Sequence, residues 1–135
     1  MSLKLQIMTP DKIFLKEEAE EIILPTNTGQ IGILKNHASL ITALDIGVML
    51  LRSQKNWTPI ALMGGFALIK NNQVTILVNE ADSIDTINSE TIEQDYLQAK
   101  EKMEQATNLK DQVEANFSFK RERARYQVVF QTKKI

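Results

Sequence analysis

Cysteine is absent from the sequence, and histidine occurs once, as His37. The first absence excludes disulfide bonds, a thiol nucleophile and a zinc site built on thiolates, and the second excludes a site with several histidine ligands. We therefore expect no metal and no cofactor. No apolar run approaches the roughly 20 residues of a membrane-spanning helix. The N-terminus lacks the apolar segment of a signal peptide and the Arg- and Ser-rich stretch of a transit peptide. We expect a soluble protein that works where it is made, unless an import signal lies outside this chain.

Glycine and proline are missing from the last 70 of the 135 residues, although five glycines and three prolines precede residue 66. This asymmetry indicates two physically different halves. Charge is asymmetric too. The chain has a formal net charge of -1, but 118–135 contains six basic residues and one acidic residue, so that segment is +5 and the remainder is -6. A chain that is acidic over most of its length is a poor candidate for a general nucleic-acid binder.

Short β-strand patterns fill the first 85 residues. Leu3, Leu5 and Ile7 alternate with polar neighbours, and turn signals recur at short intervals, which is typical of an antiparallel sandwich or barrel. Further strands are predicted over 21–24, 30–34, 48–52, 58–63, 66–70 and 73–78. The last two form a hairpin around Asn71-Asn72 that turns Val74, Ile76 and Val78 to one side. Gly64-Gly65 predicts a bulge or a sharp corner between sheets.

The apolar period changes at residue 88. Asn88 or Ser89 is the expected N-cap of a first helix, with a seam spaced 4-3-4-3: Ile92, Tyr96, Ala99, Met103 and Ala106. A second helix is expected from about Leu109 to about Gln131. The predicted fold class is therefore α+β in sequence order, an all-β sandwich over 1–85 followed by an all-α antiparallel helical hairpin over 86–135.

The second helix has two apolar stripes. Leu109, Val113, Phe117, Ala124 and Val128 form the first, which we expect to pack on the first helix. Phe119, Tyr126 and Phe130 form the second, which packs either on the strand domain or on another chain. Packing within this protein is the favoured alternative, because apolar stripes usually mark cores.

Four basic residues cluster on this helix: Lys120, Arg121, Arg123 and Arg125. They either complement the helix dipole at a solvated end or dock on an acidic partner, for which Arg offers bidentate contacts. Docking is favoured because aromatic residues flank the cations. His37 is interpreted as a structural turn residue, because no nucleophile or metal partner accompanies it. Neither common phosphate-binding motif is present, and no nucleophile–base set indicates an independent enzyme.

Ordered segments along nearly the whole chain resemble the ε subunit of F-type ATP synthases, in the chloroplast and cyanobacterial branch and most of all the plastid type. The segments are Met8-Thr9-Pro10-Asp11, Glu21-Ile22-Ile23-Leu24-Pro25-Thr26, Gly29-Gln30-Ile31-Gly32-Ile33-Leu34-Lys35-Asn36-His37-Ala38, Ala61-Leu62-Met63-Gly64-Gly65-Phe66-Ala67, Asn72-Gln73-Val74-Thr75-Ile76-Leu77-Val78-Asn79, Val113-Glu114-Ala115-Asn116-Phe117, Lys120-Arg121 and Arg125-Tyr126.

The resemblance implies a non-catalytic rotor subunit with no active site of its own. Its sandwich would bind the γ subunit and the membrane c-ring. Its helical hairpin would restrain ATP hydrolysis by extending along γ toward the α/β catalytic ring. Lys120, Arg121, Arg123 and Arg125 match the family's basic region, which approaches an acidic segment of β. The loop that meets the c-ring matches these residues: Thr26, Asn27, Thr28, Gly29, Gln30, Ile31 and Gly32.

The first helix departs from one pattern of this family. Some bacterial relatives bind ATP through a motif of the type [IL]-D-x-x-R-A. In the corresponding stretch this chain keeps the Asp as Asp95, but it has Gln94 instead of the apolar residue and Gln98 instead of the Arg. Because Gln98 supplies no cation, the resemblance implies weak or absent nucleotide binding. The implied location is the stromal side of the chloroplast thylakoid membrane, in a plastid-encoded or cyanobacterial-like protein, with the inner face of a bacterial membrane as the alternative.

Overall fold

The computed structural model describes residues 2–130 as strands followed by two helices. The strands are β1 (Leu3–Met8), β2 (Ile13–Ala19), β3 (Glu21–Thr26), β4 (Gly29–Leu34), β5 (Leu40–Ser53), β6 (Asn56–Lys70), β7 (Gln73–Val78) and β8 (Ala81–Asp82), and the helices are α1 (Ile92–Gln105) and α2 (Leu109–Phe130). This order confirms the predicted fold class, a β-sandwich followed by a helical hairpin. The expected helix end at Gln131 and the final basic residues, Lys133 and Lys134, lie outside the described residues.

The strands form one sheet path in the order β2-β1-β7-β6-β5-β3-β4, and β8 pairs with β6 beside this path. Every pairing is antiparallel except that of β1 with β7, which is parallel. The expectation of a wholly antiparallel sheet is wrong at this pair. Because nearly the whole strand half of the chain separates β1 from β7, no short turn fixes their relative direction.

Three strand segments were not predicted from the sequence pattern: β2, the first half of β5 and the two-residue β8. β2 has the sequence IFLKEEA, in which exposed charges obscure the alternation, as is common for an edge strand. The segment predicted at 48–52 is the second half of the 14-residue β5. The segments predicted at 58–63 and 66–70 are one 15-residue strand, β6.

Gly64 and Gly65 mark a corner. The β5–β6 register is the same on both sides of them, from Leu40 opposite Ile69 to Ser53 opposite Asn56. No residue is therefore inserted, and the predicted bulge is wrong. The glycines have φ values of 77° and 154°, and the core-facing positions of β6 change there from Ile60 and Leu62 to Ala67 and Ile69. The predicted corner is thus present, and it lets two long strands contribute to both layers.

The β6–β7 hairpin is as predicted. Lys70 pairs with Gln73 around a two-residue turn, in which Asn71 and Asn72 have φ values of 52° and 63°. Asn tolerates this left-handed conformation better than most residues. Val74, Ile76 and Val78 all point into the sandwich core.

Residues 2–130 contain two apolar clusters. The larger lies inside the sandwich and draws residues from all eight strands. The smaller lies between the sheet and the helices and consists of Ala61, Met63, Ile87, Ile92, Ala124, Val128 and Val129. The helical hairpin is therefore packed on the sandwich rather than separated from it.

The helix α1 begins later than predicted. Its N-cap is Thr91, whereas Asn88 closes the preceding turn by accepting a hydrogen bond from the Glu90 N–H at 3.0 Å. The expectation of Asn88 or Ser89 as N-cap is therefore wrong. The predicted seam is correct, because Ile92 and Ala99 are buried and the other three members are partly buried.

Candidate regulatory interface

The C-terminal half of α2 lies on the sandwich. Ala124, Val128 and Val129 are at most 7% exposed and pack with Ala61 and Met63 of β6. Ala61 and Met63 alternate along β6 with the core residues Ile60 and Leu62, so they point away from the sandwich core toward the helix.

The two stripes of α2 have different partners from those expected. The sequence predicts that the first stripe packs on α1, but its Ala124 and Val128 pack on the sandwich. Its other members, Leu109, Val113 and Phe117, are 76%, 61% and 50% exposed. That expectation is wrong, because a helix held between two neighbours needs two buried faces, and sequence alone does not say which neighbour takes which face.

The aromatic stripe packs on α1. The ring of Tyr96 in α1 stacks on Phe119 and Tyr126 at centroid distances of 5.7 and 4.8 Å. Tyr126 in turn contacts Phe130 at 4.9 Å. From the sequence, the strand domain and another chain are the expected partners of this stripe. Neither is its main contact, which is with the first helix. The general expectation of packing within this chain is correct.

Arg125 connects α2 to the sandwich through its charge. Its guanidinium donates to Asp82 at 2.8 Å, to Glu80 at 3.0 Å and to Glu122 at 3.0 Å. Glu122 is the one charged residue that is buried among the described residues, with 8% exposed. Burial by itself lowers the pKa of Arg125, but the hydrogen bonds and charges of Asp82 and Glu122 outweigh it and raise that pKa. The guanidinium is therefore charged at any physiological pH.

The other cations of α2 make weaker contacts. Lys120 lies 4.0 Å from Asp45, and Arg121 lies 4.0 Å from Glu80. The Arg121 Nε is buried and has no hydrogen-bond partner within residues 2–130. Arg123 lies over the Phe119 ring, 5.2 Å from its centroid. The predicted docking set is therefore divided, since Arg125 forms short ion pairs with the sandwich and the other three do not.

The predicted c-ring loop is the β3–β4 hairpin. Asn27 and Thr28 form its turn, and Gly29 begins β4 with a φ of 123°. The Thr26 Oγ1 hydroxyl donates to the Gly29 carbonyl at 2.6 Å and closes the turn. Gln30 and Gly32 are exposed, and Ile31 is partly buried. The loop is an ordered, exposed tip, distant in sequence from the cations of α2.

His37 lies in the turn between β4 and β5. Its backbone N–H donates to the Leu34 carbonyl at 3.1 Å, and its ring Nδ1 lies 2.7 Å from the Ala38 carbonyl. Both contacts are local.

Gln94, Asp95 and Gln98 are all exposed on α1. Asp95 Oδ2 accepts a hydrogen bond from Thr91 Oγ1 at 3.3 Å, which stabilises the first turn of the helix.

Sequence reasoning missed an apolar patch on the outer face of the sheet. This outer apolar patch comprises Ile41, Phe66, Leu68 and Leu77, which are 39–73% exposed. The register places Phe66 opposite Leu77 and Leu68 opposite Ile41, so the four side chains are neighbours. The signal was available, because the β6–β7 hairpin is apolar at outward-facing positions where polar residues are usual.

Two other kinds of site are absent from the part of the chain that the structure describes. Within residues 2–130, no group of three acidic or imidazole side chains is arranged to hold a metal ion. No helix in that range is long and apolar enough to cross a membrane.

Comparison with known proteins identifies the chain's family. Residues 2–84 match the model of the β-sandwich domain of the ATP synthase delta/epsilon chain. The chain is also 65% identical over 129 residues to the chloroplastic ATP synthase epsilon chain of Tupiella akineta, a match that covers 96% of this chain and 99% of that one. This chain belongs to the ATP synthase epsilon family.

Solved ATP synthase assemblies contain chains that share the fold. A chain of the Euglena gracilis mitochondrial ATP synthase, from a structure of OSCP/F1/c-ring, aligns with a TM-score of 0.81 at 20% identity and covers 95% of this chain and 81% of that chain. A chain of the Tetrahymena thermophila mitochondrial ATP synthase, from a structure of the central stalk and c-ring, has a TM-score of 0.64 at 16% identity and covers 94% and 96%. At these identities the likeness shows the fold. Family membership itself confirms the predicted identity as a subunit of ATP synthase rather than an independent enzyme.

Proposed function

We propose that this epsilon chain is a rotor subunit of a plastid ATP synthase, which couples c-ring rotation to the γ subunit and restrains ATP hydrolysis through its two helices. The names of its close relatives support the plastid location, and the chloroplast thylakoid membrane, on its stromal side, is the expected site. Family membership supports a place in a proton-driven ATP synthase. The two structural neighbours come from assemblies that include the c-ring, which supports a place in the rotor.

The observation that carries the proposal is the way α2 is held. Its contact with the sandwich joins a small apolar cluster, in which α2 supplies one Ala and two Val, to ion pairs formed by 120–125. Ion pairs of partly exposed groups can be exchanged for other acidic partners at small net cost. A helix held in this way is suited to leave the sandwich and to present its cations to an acidic segment of the catalytic ring.

We assign the two modules to different partners. The sandwich, 1–85, is proposed to contact the γ subunit and the c-ring, and the hairpin, 86–135, to contact the α/β ring in the inhibitory state. The outer apolar patch is suited to a stable protein contact, because an exposed cluster of four large apolar side chains is uncommon on a surface that remains in water. The β3–β4 tip, from Thr26 to Gly32, is the proposed contact with the c-ring.

The experiment uses ATP synthase from which epsilon has been removed, reconstituted with variants of this chain. The full chain should suppress ATP hydrolysis, and a chain ending at Asp85 should bind equally well without suppressing it. Removing the helices uncovers Met63 and Val48, so a second truncated chain with Met63→Thr and Val48→Thr guards against aggregation. A soluble, folded truncated chain that fails to bind would contradict the modular assignment.

Docking on the catalytic ring is tested on cations that contribute little to the folded contact. Lys120→Ala with Arg123→Ala should relieve inhibition of hydrolysis several-fold, because these side chains are not held by short ion pairs. Lys110→Ala, on the exposed start of the same helix, is the control for loss of positive charge. Equal inhibition by the double variant and by the wild-type chain would exclude a docking role for this pair.

A further inference from the structure

Three acidic residues of the strand half face the cations of α2. This acidic strip consists of Asp45 in β5, Glu80 before β8 and Asp82 in β8. The Asp82 and Glu80 carboxylates form ion pairs with the Arg125 guanidinium at 2.8 and 3.0 Å. Glu80 also lies 4.0 Å from Arg121, and Asp45 lies 4.0 Å from Lys120. The contacts span 43 and 45 residues of sequence for Arg125. The strip therefore belongs to the tertiary contact between the modules and not to local helix structure.

Together with Glu122 of α2, the strip engages all three nitrogens of the Arg125 guanidinium. Its Nε, Nη1 and Nη2 each bind a different carboxylate, those of Asp82, Glu122 and Glu80. The side chain is only 21% exposed. While α2 lies on the sandwich, a carboxylate from another protein must therefore compete with Asp82 and Glu80 for Arg125.

Charge supplies an unusually large share of this contact. The buried apolar residues that α2 offers are Ala124, Val128 and Val129, with Tyr126 partly buried beside them, and small side chains bury little area. Hydrogen bonds between charged groups are stronger than neutral ones, and within residues 2–130 one guanidinium accounts for all of the short ones between α2 and the sandwich. The position of α2 therefore depends heavily on Arg125 and its two sandwich partners.

We infer that the acidic strip is an internal binding site that competes with the acidic partner for the cations of α2, and that Arg125 holds the hairpin in its docked, non-inhibitory position. The inference deepens the proposed function, on which it rests. It assigns opposite effects on inhibition to two groups of charged residues: the cations that meet only the partner, and the residues of the acidic strip. Loss of cations that meet only the partner weakens inhibition, whereas loss of the strip releases the hairpin and strengthens inhibition.

The test uses the full chain and exploits its lack of cysteine. In a Val128→Cys background, the interface reporter, the only thiol is buried between α2 and the sandwich, so a maleimide reagent reaches it only when the modules separate. In a Val74→Cys background, the core reporter, the thiol lies in the sandwich core and reports global unfolding. Asp82→Asn with Glu80→Gln removes two charges of the strip, and the new amide can still accept the hydrogen bond that Thr86 donates to Asp82 at 3.2 Å. Asp85→Asn with Glu90→Gln removes the same charge from exposed positions nearby.

Labelling of the interface reporter should accelerate at least about tenfold in the strip variant, since two charged hydrogen bonds are weakened and the loss of one already shifts an equilibrium by roughly that factor. The Asp85/Glu90 variant should label within about twofold of the parent, the scatter typical of exposed substitutions. Labelling of the core reporter should be the same in all three chains. Equal interface-reporter rates in strip and control variants would overturn the inference, and so would an equal acceleration of the core reporter, because the strip would then stabilise the whole fold.

A separate arm tests the consequence in the assembled enzyme. The strip variant should inhibit ATP hydrolysis more strongly than the wild-type chain at the same occupancy. Faster labelling of the interface reporter with no change in inhibition would support the internal site and contradict the proposed inhibitory function. Unchanged labelling together with normal inhibition would contradict the internal site alone.

Discussion

Replacing Tyr96 with Ala should separate α1 from α2 without unfolding the sandwich. The ring stacks on Phe119 and Tyr126 at centroid distances of 5.7 and 4.8 Å, and each such aromatic pair contributes about 0.5–1.5 kcal/mol beyond area burial. The substitution also loses burial of a half-covered ring, whereas Ala has a better helix propensity than Tyr by several tenths of a kcal/mol. The lost packing exceeds the gained propensity, which leaves a net cost of about 2 kcal/mol to the helix pairing.

Hydrogen exchange measures this effect directly. A cost of about 2 kcal/mol corresponds to about thirtyfold faster exchange of amides in Ile92–Gln105, and the amides of β1 and β7 should exchange at the wild-type rate. Leu97→Ala is the matched control, because Leu97 is the next residue of α1 and is 53% exposed. Less than threefold acceleration in the Tyr96 variant, or equal acceleration in both variants, would refute the assignment of the aromatic stack as the main link between the helices.

Three further predictions concern the corner, the charge contact and nucleotide binding. Gly65→Ala should lower the free energy of unfolding in urea by more than about 3 kcal/mol, since the new Cβ would overlap the Leu77 carbonyl and lie 2.9 Å from the Val78 Cα. Gly29→Ala has no atom within 4 Å of the new Cβ and should cost only about 1 kcal/mol, for its positive φ. Similar losses for the two variants would show that backbone strain, and not the steric clash, determines the cost. The pKa of Arg125 is raised, so its contribution to the stability of the docked hairpin is complete below the ordinary pKa and is lost only as pH rises through the higher native value. The labelling rate of the interface reporter, corrected for the thiolate fraction, should therefore not change between about pH 6 and 9. A steep rise of that rate toward pH 9 would contradict this prediction. Calorimetric titration of the full chain with ATP should show no saturation in the micromolar range, because Gln98 offers no cation, and a micromolar Kd would contradict that interpretation of α1.

Local periodicity predicted the helices and the hairpin well. The seam of α1 is correct from Ile92 to Met103, because a helix with one apolar face has one way to be buried, whereas Ala106 is the C-cap just after the helix. The β6–β7 turn is likewise correct, because Asn71-Asn72 carries its own conformational preference. These features depend on residues that are close in sequence, and such signals can be read from one chain.

Features that depend on distant residues could not be predicted in this way. Both faces of α2 are apolar, so the sequence could not say that Phe119 and Tyr126 face α1 while Ala124 faces the sheet. The ion pairs of Arg125 with Asp82 and Glu80 join residues 43 and 45 positions apart, and no local pattern indicates them. Treating Lys120, Arg121, Arg123 and Arg125 as one docking surface was therefore the natural interpretation, and tertiary structure was needed to separate Arg125 from the rest.

The half-covered stripe of α2 has a consequence for how the helix could change partners. Ala124 and Val128 are shielded by the sandwich, while Leu109, Val113 and Phe117, earlier on the same stripe, are open to solvent. A second protein can therefore begin to bind at the exposed end of the stripe while the shielded end is still packed on the sandwich, and it can then replace the sandwich step by step. Such a transfer never exposes the whole apolar face to solvent at once. Its rate should therefore depend on the concentration of the incoming partner and not only on the rate at which α2 dissociates from the sandwich.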